Sequence, residues 1–206
     1  MIPRVIHHVW VGGTLPEYLE GYVRSWAVLH PDWEHRVWGD DDLTWLANQP
    51  TFDAAEDITP WHGQLRSDIA RYEILARHGG VYVDCDMEAL RPIDELLDVD
   101  CFAGWETDGE WVNNAIMGAV PHHPLLDDLI GGLEANVARH RGQRPNVMTG
   151  PQYMTPAALA HDVELHPSSA FYPYRWDNLD AMGGDYGDAF AVHHWNRKRT
   201  LAGAWP

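Results

Sequence analysis

The sequence predicts an α/β protein, a sandwich in which helices cover a mixed central sheet. In its first half, short runs of β-branched and aromatic residues alternate with stretches of helical periodicity, the order of elements typical of α/β folds. The length of 206 residues and the hydrophobic share of 45% suit one domain with a substantial core. Because no internal repeat or low-complexity tract divides the chain, we expect a single domain over residues 1–206.

The N-terminal segment predicts a strand, a turn and a helix. Residues 5–10 form an apolar and aromatic run that is typical of a buried strand, and two glycines mark the turn after it. Pro16 then begins a helix that runs toward His30. A second short strand is predicted at residues 35–38.

Three consecutive aspartates, residues 40–42, follow the second strand and favour the N-terminus of a further helix. This alternation is the first half of a nucleotide-binding α/β unit. The glycine-rich phosphate loops G-x-G-x-x-G and G-x-x-x-x-G-K-[ST] are both absent from the sequence. ATP and NAD are therefore poor candidates for the ligand.

A helix followed directly by a strand is the most informative part of the chain. Apolar residues at helical spacing predict a helix that packs inward along one face, at Leu65, Ile69, Tyr72 and Ala76. Asp68 and Arg71, three residues apart, share a neighbouring face of this helix. Residues 78–80 contain two glycines that stop the helix, and residues 81–83 predict a β-strand.

Two carboxylates follow that strand. Asp84 and Asp86 alternate to the same side of an extended chain, and Cys85 points away. In α/β sheets, ligands usually bind at the carboxyl ends of strands. Two hard oxygen donors on one side suit Mg²⁺ or Mn²⁺, which would bind a phosphate-bearing substrate through its remaining coordination positions.

The second half predicts a short helix, two strands and one long helix. Residues 93–97 suit the short helix, and residues 101–104 and 115–118 suit strands on either side of a polar loop at residues 106–114. Leucines and a valine at helical spacing predict an amphipathic helix over residues 124–140. The remainder is loop-rich and aromatic, apart from a short strand that ends in a histidine pair.

Composition excludes several classes of partner. The formal net charge of −17 disfavours nucleic acid, which rewards clustered Lys and Arg. The chain has no apolar run near the ~20 residues of a membrane span, and its N-terminus does not resemble a signal peptide, so we expect no integral membrane association. With only Cys85 and Cys101, the sequence indicates a reducing compartment, and we expect a cytoplasmic location.

Three segments carry a family resemblance: I-P-R-V-I-H-H-V-W-V-G-G at residues 2–13, S-D-I-A-R-Y at 67–72 and G-G-V-Y-V-D-C-D at 79–86. In order and spacing they resemble the sugar-binding, DXD-containing region of family 32 glycosyltransferases. That family includes fungal mannosyltransferases, bacterial capsular-polysaccharide transferases and the glucosyltransferase domains of clostridial toxins. Weaker similarities, such as T-G-P at 149–151 and F-Y-P at 171–173, extend the resemblance over nearly the whole chain.

The resemblance implies a GT-A fold, a nucleotide-sugar donor, a divalent metal and transfer with retention of anomeric configuration. It implies that Trp10 stacks on the donor's base, with the backbone of Val9 at the base edge. Asp68 and Arg71 would hold the sugar hydroxyls. The other donor-binding residues that it suggests are Tyr82, Asp84, Asn113 and Asn114.

The same resemblance suggests the metal ligands. Asp86 matches the aspartate that contacts the metal directly, and His193 is the best candidate for a C-terminal histidine ligand, with His194 a competitor. Imidazole would favour Mn²⁺ over Mg²⁺. Where the family's tail continues with serine and tryptophan, this chain has Asn196 as a possible metal ligand and Lys198 as a possible diphosphate contact.

The sequence therefore predicts a metal-dependent, retaining glycosyltransferase that uses a nucleotide-sugar donor, with UDP-sugars favoured, and a glycan or protein hydroxyl as acceptor. The residues expected to carry catalysis are Arg71, Asp84 and Asp86, and a mobile tail is expected from about residue 195. Two alternatives remain. A metal phosphohydrolase also places D-x-D after an apolar strand, and a non-catalytic module would bind the nucleotide sugar without consuming it.

Overall fold

The computed structural model describes residues 1–195. The strands are β1 (Val5–Val9), β2 (Glu34–Trp38), β3 (Gly80–Val83), β4 (Met87–Ala89), β5 (Cys101–Thr107), β6 (Trp111–Ala119), β7 (Glu164–His166) and β8 (Ala191–His193). The helices are α1 (Glu17–Leu29), α2 (Gln49–Asp53), α3 (Ala55–Ile58), α4 (His62–His78), α5 (Pro124–Arg139), α6 (Pro145–Met148), α7 (Pro151–Ala160) and α8 (Ser168–Phe171). Among the described residues, no helix is both long and apolar enough to cross a membrane.

Six strands form one mixed sheet in the order β2-β1-β3-β6-β5-β7. β1 pairs in parallel with both β2 and β3, and β6 is antiparallel to both β3 and β5. β4 and β8 form a separate antiparallel pair. The predicted α/β class with a mixed central sheet is confirmed, and the carboxyl ends of β1 and β3 meet at one edge of the sheet.

Each face of the sheet has its own apolar cluster, because side chains alternate across a strand. Val9 and Tyr82 face the cluster built with α4 and α5, which includes Leu65. Ile6 and Val81 face the other cluster, which includes Trp26 of α1 and Phe102 of β5. Helices α1 and α4 therefore cover opposite faces of the sheet, and the functional edge lies between them.

The junction between α4 and β3 needs two glycines. Gly79 ends α4 with φ +64°, and its N–H donates to the Leu75 carbonyl at 2.8 Å. Gly80 has φ +95°, and a Cβ there would overlap Val5 of β1. Glycine is thus required both for the left-handed backbone and for the close approach of β3 to β1.

Two predicted elements were wrong in extent. Residues 40–42 form a 3-10 turn and are not the N-terminus of the next helix, since that helix, α2, begins only at Gln49. The polar segment 106–114 is mostly strand, and only residues 108–110 connect β5 to β6. Asn113 and Asn114 therefore belong to a strand and not to a loop.

A bulge in β6 sets the position of these asparagines. Ala103 pairs with Met117, whereas the adjacent Gly104 pairs with Asn113, so residues 114–116 have no partner in β5. Bulges of this kind redirect side chains and are frequent beside functional sites. The short elements β7, α6 and α7 were not predicted, because each was too short or too irregular to give a clear periodic pattern.

Candidate active site

The guanidinium of Arg71 joins two carboxylates at the carboxyl edge of β3. Its Nη2 lies 2.9 Å from Asp68 Oδ1 and 3.0 Å from Asp84 Oδ1, and its Nη1 donates to the Asn114 carbonyl at 2.6 Å. Arg71 and Asp68 are 3% and 1% exposed. The face of α4 that they share is therefore interior, and the pair is not an ion pair on a solvent-exposed helix surface.

Asp68 is fully engaged by protein groups. Besides Arg71, Asn114 Nδ2 donates to its Oδ1 at 3.0 Å and the Thr149 hydroxyl donates to its Oδ2 at 2.7 Å. Burial raises the pKa of Asp68 to about 6, and the Arg71 charge opposes that rise. The desolvation of the carboxylate thus outweighs its good partners.

Asp84 connects this network to the metal side of the site. The Tyr82 hydroxyl donates to Asp84 Oδ1 at 2.7 Å, and the Arg71 guanidinium lies 4.5 Å from the centre of the Tyr82 ring. Burial raises the pKa of Asp84; Arg71 opposes the rise and Asp86 adds to it. A second cation near Asp84 and Asp86 would relieve this repulsion.

Asp84, Asp86 and His193 form a cluster whose potential ligand atoms all lie within 4.8 Å of one another. The pairing of β8 with β4 places His193 opposite Met87, directly after Asp86. His193 Nε2 is 3.1 Å from Asp86 Oδ1. Burial alone would lower the pKa of His193, but the neighbouring carboxylates, Asp86 above all, outweigh it and raise that pKa.

The two C-terminal histidines have different surroundings. His194 Nε2 lies 2.9 Å from Glu88 Oε2, and its ring stacks on Tyr22 with ring centroids 4.2 Å apart. Of the two, His193 is therefore the one beside the aspartate pair. Successive side chains of an extended chain point to opposite sides, so only one of the two histidines faces the aspartates. The sequence did not indicate which one.

The donor set fits a hard divalent cation. Two carboxylates and one imidazole are ligands that Mn²⁺ accepts, and His193 Nδ1 is a buried atom without a hydrogen-bond partner among the described residues. Asn196 and Lys198, the other residues predicted to contact metal and diphosphate, lie outside the described residues, as does the predicted mobile tail beyond Trp195. Their roles remain predictions.

The predicted base site lies at the end of β1. Trp10 is only partly buried and belongs to neither apolar cluster, and its indole N–H donates to the Thr14 carbonyl at 3.1 Å. The Val9 carbonyl accepts a bond from the Cys85 thiol at 3.4 Å. Stacking on a base therefore stays a prediction for Trp10, which the structure does not use as a core residue.

The two asparagines of β6 have separate environments. Asn114 lies within the Arg71 network, since its amide N–H groups donate to Asp68 and, at 2.9 Å, to the Tyr72 hydroxyl. Asn113 lies outside that network and donates to Glu106 Oε2 at 2.7 Å. Direct donor contacts of Asn113, Asn114 and Tyr82 stay predictions.

Sequence reasoning did not single out two residues of the site. One is Thr149, whose hydroxyl donates to Asp68. The other is Tyr172, whose ring centre lies 5.9 Å from that of His193. Burial raises the pKa of the Tyr172 hydroxyl well above its usual value. Both belong to short motifs, T-G-P and F-Y-P, that contributed only to the weaker part of the resemblance. Those motifs were the available signal.

The sheet and the aspartate pair at its carboxyl edge define a GT-A glycosyltransferase fold. Galactosyltransferase LgtC, solved in complex with donor and acceptor sugar analogs, superposes with a TM-score of 0.52 at 13% identity, covering 97% of this chain and 95% of that one. PaToxG glycosyltransferase superposes with a TM-score of 0.64 at 17% identity, covering 77% of this chain and 69% of that one.

Residues 16–103 match the family described as glycosyltransferase sugar-binding region containing DXD motif. The chain is 33% identical over 178 residues to inositol phosphoceramide mannosyltransferase 2 of Schizosaccharomyces pombe, covering 84% of this chain and 51% of that protein. The chain belongs to this family of DXD-type glycosyltransferases. It spans about half the length of such curated relatives.

Proposed function

We propose that this chain is a metal-dependent, retaining glycosyltransferase that moves a sugar from a nucleotide-diphosphate sugar to a hydroxyl acceptor. The observation that carries the proposal is the cluster of Asp84, Asp86 and His193 directly beside the buried Arg71 network. One part suits a divalent cation, and the other holds Asp84 in a fixed orientation. A site with both parts suits a substrate that carries a diphosphate and a sugar together.

The first candidate for the donor is a UDP-sugar. Mannose is a further candidate for the transferred sugar. Mannose is suggested by the relative from Schizosaccharomyces pombe, whose name describes a mannosyltransferase that acts on inositol phosphoceramide. The acceptor here is a hydroxyl of a glycan, a glycolipid or a protein. The cytoplasmic location is likewise a proposal, supported by the two free cysteines.

Asp86 and His193 would hold Mn²⁺ or Mg²⁺, with Asp84 beside them. When bound, the cation would compensate the negative charge that develops on the departing diphosphate. Arg71 orients Asp84 through the 3.0 Å contact and keeps it from rotating away. The Tyr82 hydroxyl, from the preceding strand β3, donates to the same Asp84 oxygen, Oδ1.

We propose that configuration is retained because the acceptor oxygen attacks the anomeric carbon on the same face from which the diphosphate leaves. The bond from the anomeric carbon to the acceptor oxygen forms while the bond to the phosphate oxygen breaks. The acceptor proton passes to that phosphate oxygen, so no protein base is required. The residues of the chain then act by binding and orientation, which is the larger part of catalysis in reactions with charged leaving groups.

The test is a panel of nucleotide sugars, including UDP-glucose, UDP-galactose and GDP-mannose, incubated with Mn²⁺ or with EDTA. Mass analysis should detect the released nucleoside diphosphate only with Mn²⁺ and only for the correct donor. With methyl glycosides as acceptors, NMR coupling constants give the anomeric configuration of the product. Binding without any consumption would instead indicate a non-catalytic module, and release of phosphate from simple phosphoesters would indicate a phosphohydrolase.

A further inference from the structure

Strands β1 and β3 lie side by side and lead to different parts of the proposed site. β1 ends at Val9, before the proposed base platform Trp10, and β3 ends before Asp84. The parallel pairing of the two strands aligns Ile6 with Val81 and His7 with Tyr82, and the register ends there. Backbone pairing therefore does not extend to the residues at which the two strands reach the site.

Two buried side chains connect the strands beyond that point. His8 Nδ1 lies 2.8 Å from the carbonyl oxygen of Val83, and because a carbonyl only accepts, this nitrogen carries the proton. In the opposite direction, the Cys85 thiol donates to the Val9 carbonyl at 3.4 Å. β1 thus supplies a donor side chain to a carbonyl of β3, and the turn after β3 supplies one to a carbonyl of β1.

The chemistry of these two side chains matches that task. His8 is 1% exposed, and its Nε2 is buried without a hydrogen-bond partner among the described residues. An apolar side chain would avoid this unsatisfied atom but would leave the Val83 carbonyl without the His8 donor. Cys85 lies between Asp84 and Asp86 in sequence, yet its thiol is directed to Val9 and takes no part in the ligand cluster.

We propose that His8 and Cys85 are positioning residues, which hold the base-binding end of β1 at a fixed distance from the metal-binding aspartates. This inference rests on the proposed function, because it assigns a role relative to both subsites. A nucleoside diphosphate with its metal must contact Trp10 and Asp86 at the same time. The two side-chain bonds fix the relative position of those subsites before the ligand arrives.

The test compares ligands that span the two subsites with ligands that occupy one. The spanning probes are UDP and GDP with Mn²⁺, and the single-subsite probes are Mn²⁺ alone and UMP or GMP in EDTA, all measured by calorimetry. In Cys85→Ala and His8→Leu, we expect affinity for the spanning probe to fall about tenfold, the scale of one lost hydrogen bond. Affinity for the single-subsite probes should change little, because each subsite keeps its own contacts.

Conservative variants and a matched control separate positioning from general stability. Cys85→Ser and His8→Asn keep a donor and should recover much of the affinity for the spanning probe. Cys101→Ala removes the other buried thiol, which lies in β5, and should lower the thermal midpoint without changing the affinity for UDP or GDP with Mn²⁺. Thermal unfolding of every variant verifies that it is folded.

The outcomes are distinguishable. If the unaltered protein binds neither UDP nor GDP with Mn²⁺, the proposed function fails and this inference fails with it. If it binds one of them and Cys85→Ala binds that ligand equally well, the inference alone is wrong. Equal losses for spanning and single-subsite probes would also overturn it, because a fixed distance affects only ligands that span the subsites.

Discussion

The two halves of the candidate site are held in different ways. Asp68, Arg71 and Asp84 belong to α4 and the exit of β3, and each of them is bonded to groups of the main sheet or its helices. Asp86 depends on His193, a residue 107 positions away that reaches it only through the small β4–β8 pair. One half is preorganised by local structure, and the other is assembled by the end of the described chain.

The electrostatics of the two halves differ in the same sense. In the first half, the positive charge of one guanidinium lies between two carboxylates and partly neutralises both. In the second half, burial and then the neighbouring Asp86 raise the pKa of Asp84, and the attraction of Asp86 and Asp84 for a protonated ring raises the pKa of His193. A bound cation would therefore change the second half more than the first.

Removing Arg71 should have the largest effect. Arg71→Ala would leave two buried carboxylates facing each other, and the free energy of unfolding should fall by about 3 to 5 kcal/mol, with loss of activity. Chemical denaturation measures this directly. Arg77→Ala, at an exposed position of the same helix, is the control and should change stability by no more than about 1 kcal/mol, since it loses only the contact of its guanidinium with the Trp45 ring at 4.4 Å. A stable, active Arg71→Ala protein would show that Arg71 does not preorganise this half of the site.

Removing Asp86 should affect activity far more than stability. Asp86 has a side-chain exposure of 15%, so Asp86→Asn should keep the fold while metal-dependent turnover falls about 100-fold or more. Glu88→Gln is the control, because Glu88 pairs with His194 and lies outside the cluster. Turnover of Asp86→Asn within a few fold of the unaltered protein would show that Asp86 does not hold the metal.

Acid should destabilise the main sheet through the buried His7 of β1. The His7 ring donates from Nε2 to Gly79 at 3.0 Å and accepts at Nδ1 from Trp38 at 3.1 Å, an arrangement that only the neutral ring can make. Burial lowers the pKa of His7 to about 4, so the unfolded chain binds a proton first as pH falls. The stability from this residue is complete above about pH 6.5 and decreases toward pH 4, by about 3 kcal/mol in all.

Denaturation between pH 7 and pH 4 measures this effect, and His7→Gln should show a flatter dependence on pH. The pair of His193 and Asp86 has the opposite sign in the metal-free protein. Because the pKa of His193 is raised, its stabilisation is complete below the unfolded value of about 6.5 and is lost as pH rises through the folded value. If His7→Gln follows the same pH profile as the unaltered protein, another group controls the acid limb.

The smallest effect is expected at the predicted base site. Trp10→Ala should weaken the binding of UDP or GDP by about 1 to 3 kcal/mol, the contribution of one base stacked on one aromatic face. Trp10→Phe should recover much of that loss, and Trp176→Ala, at a position where the indole is 54% exposed, is the control. Calorimetry that finds equal affinity in all three variants would exclude Trp10 as the stacking platform.

Part of the site could be predicted because it is local. Asp68 and Arg71 lie in one helix and Asp84 and Asp86 directly follow the next strand, and helical and strand periodicity indicated both elements. The surroundings of these residues could not be predicted. Thr149 and Asn114 join the network from distant elements, and the position of Asn114 depends on an irregular bulge that leaves no periodic signal.

By itself, the sequence determined the α/β class, the order of the main elements and the aspartate pair at the exit of β3, because these follow from patterns that repeat within one helix or strand. Only the tertiary structure decided that Arg71 is buried between Asp68 and Asp84 and that His193, not its neighbour, reaches Asp86. A shift of β8 by one residue would exchange the two histidines. Such a register is set by packing between distant segments, which no local pattern records.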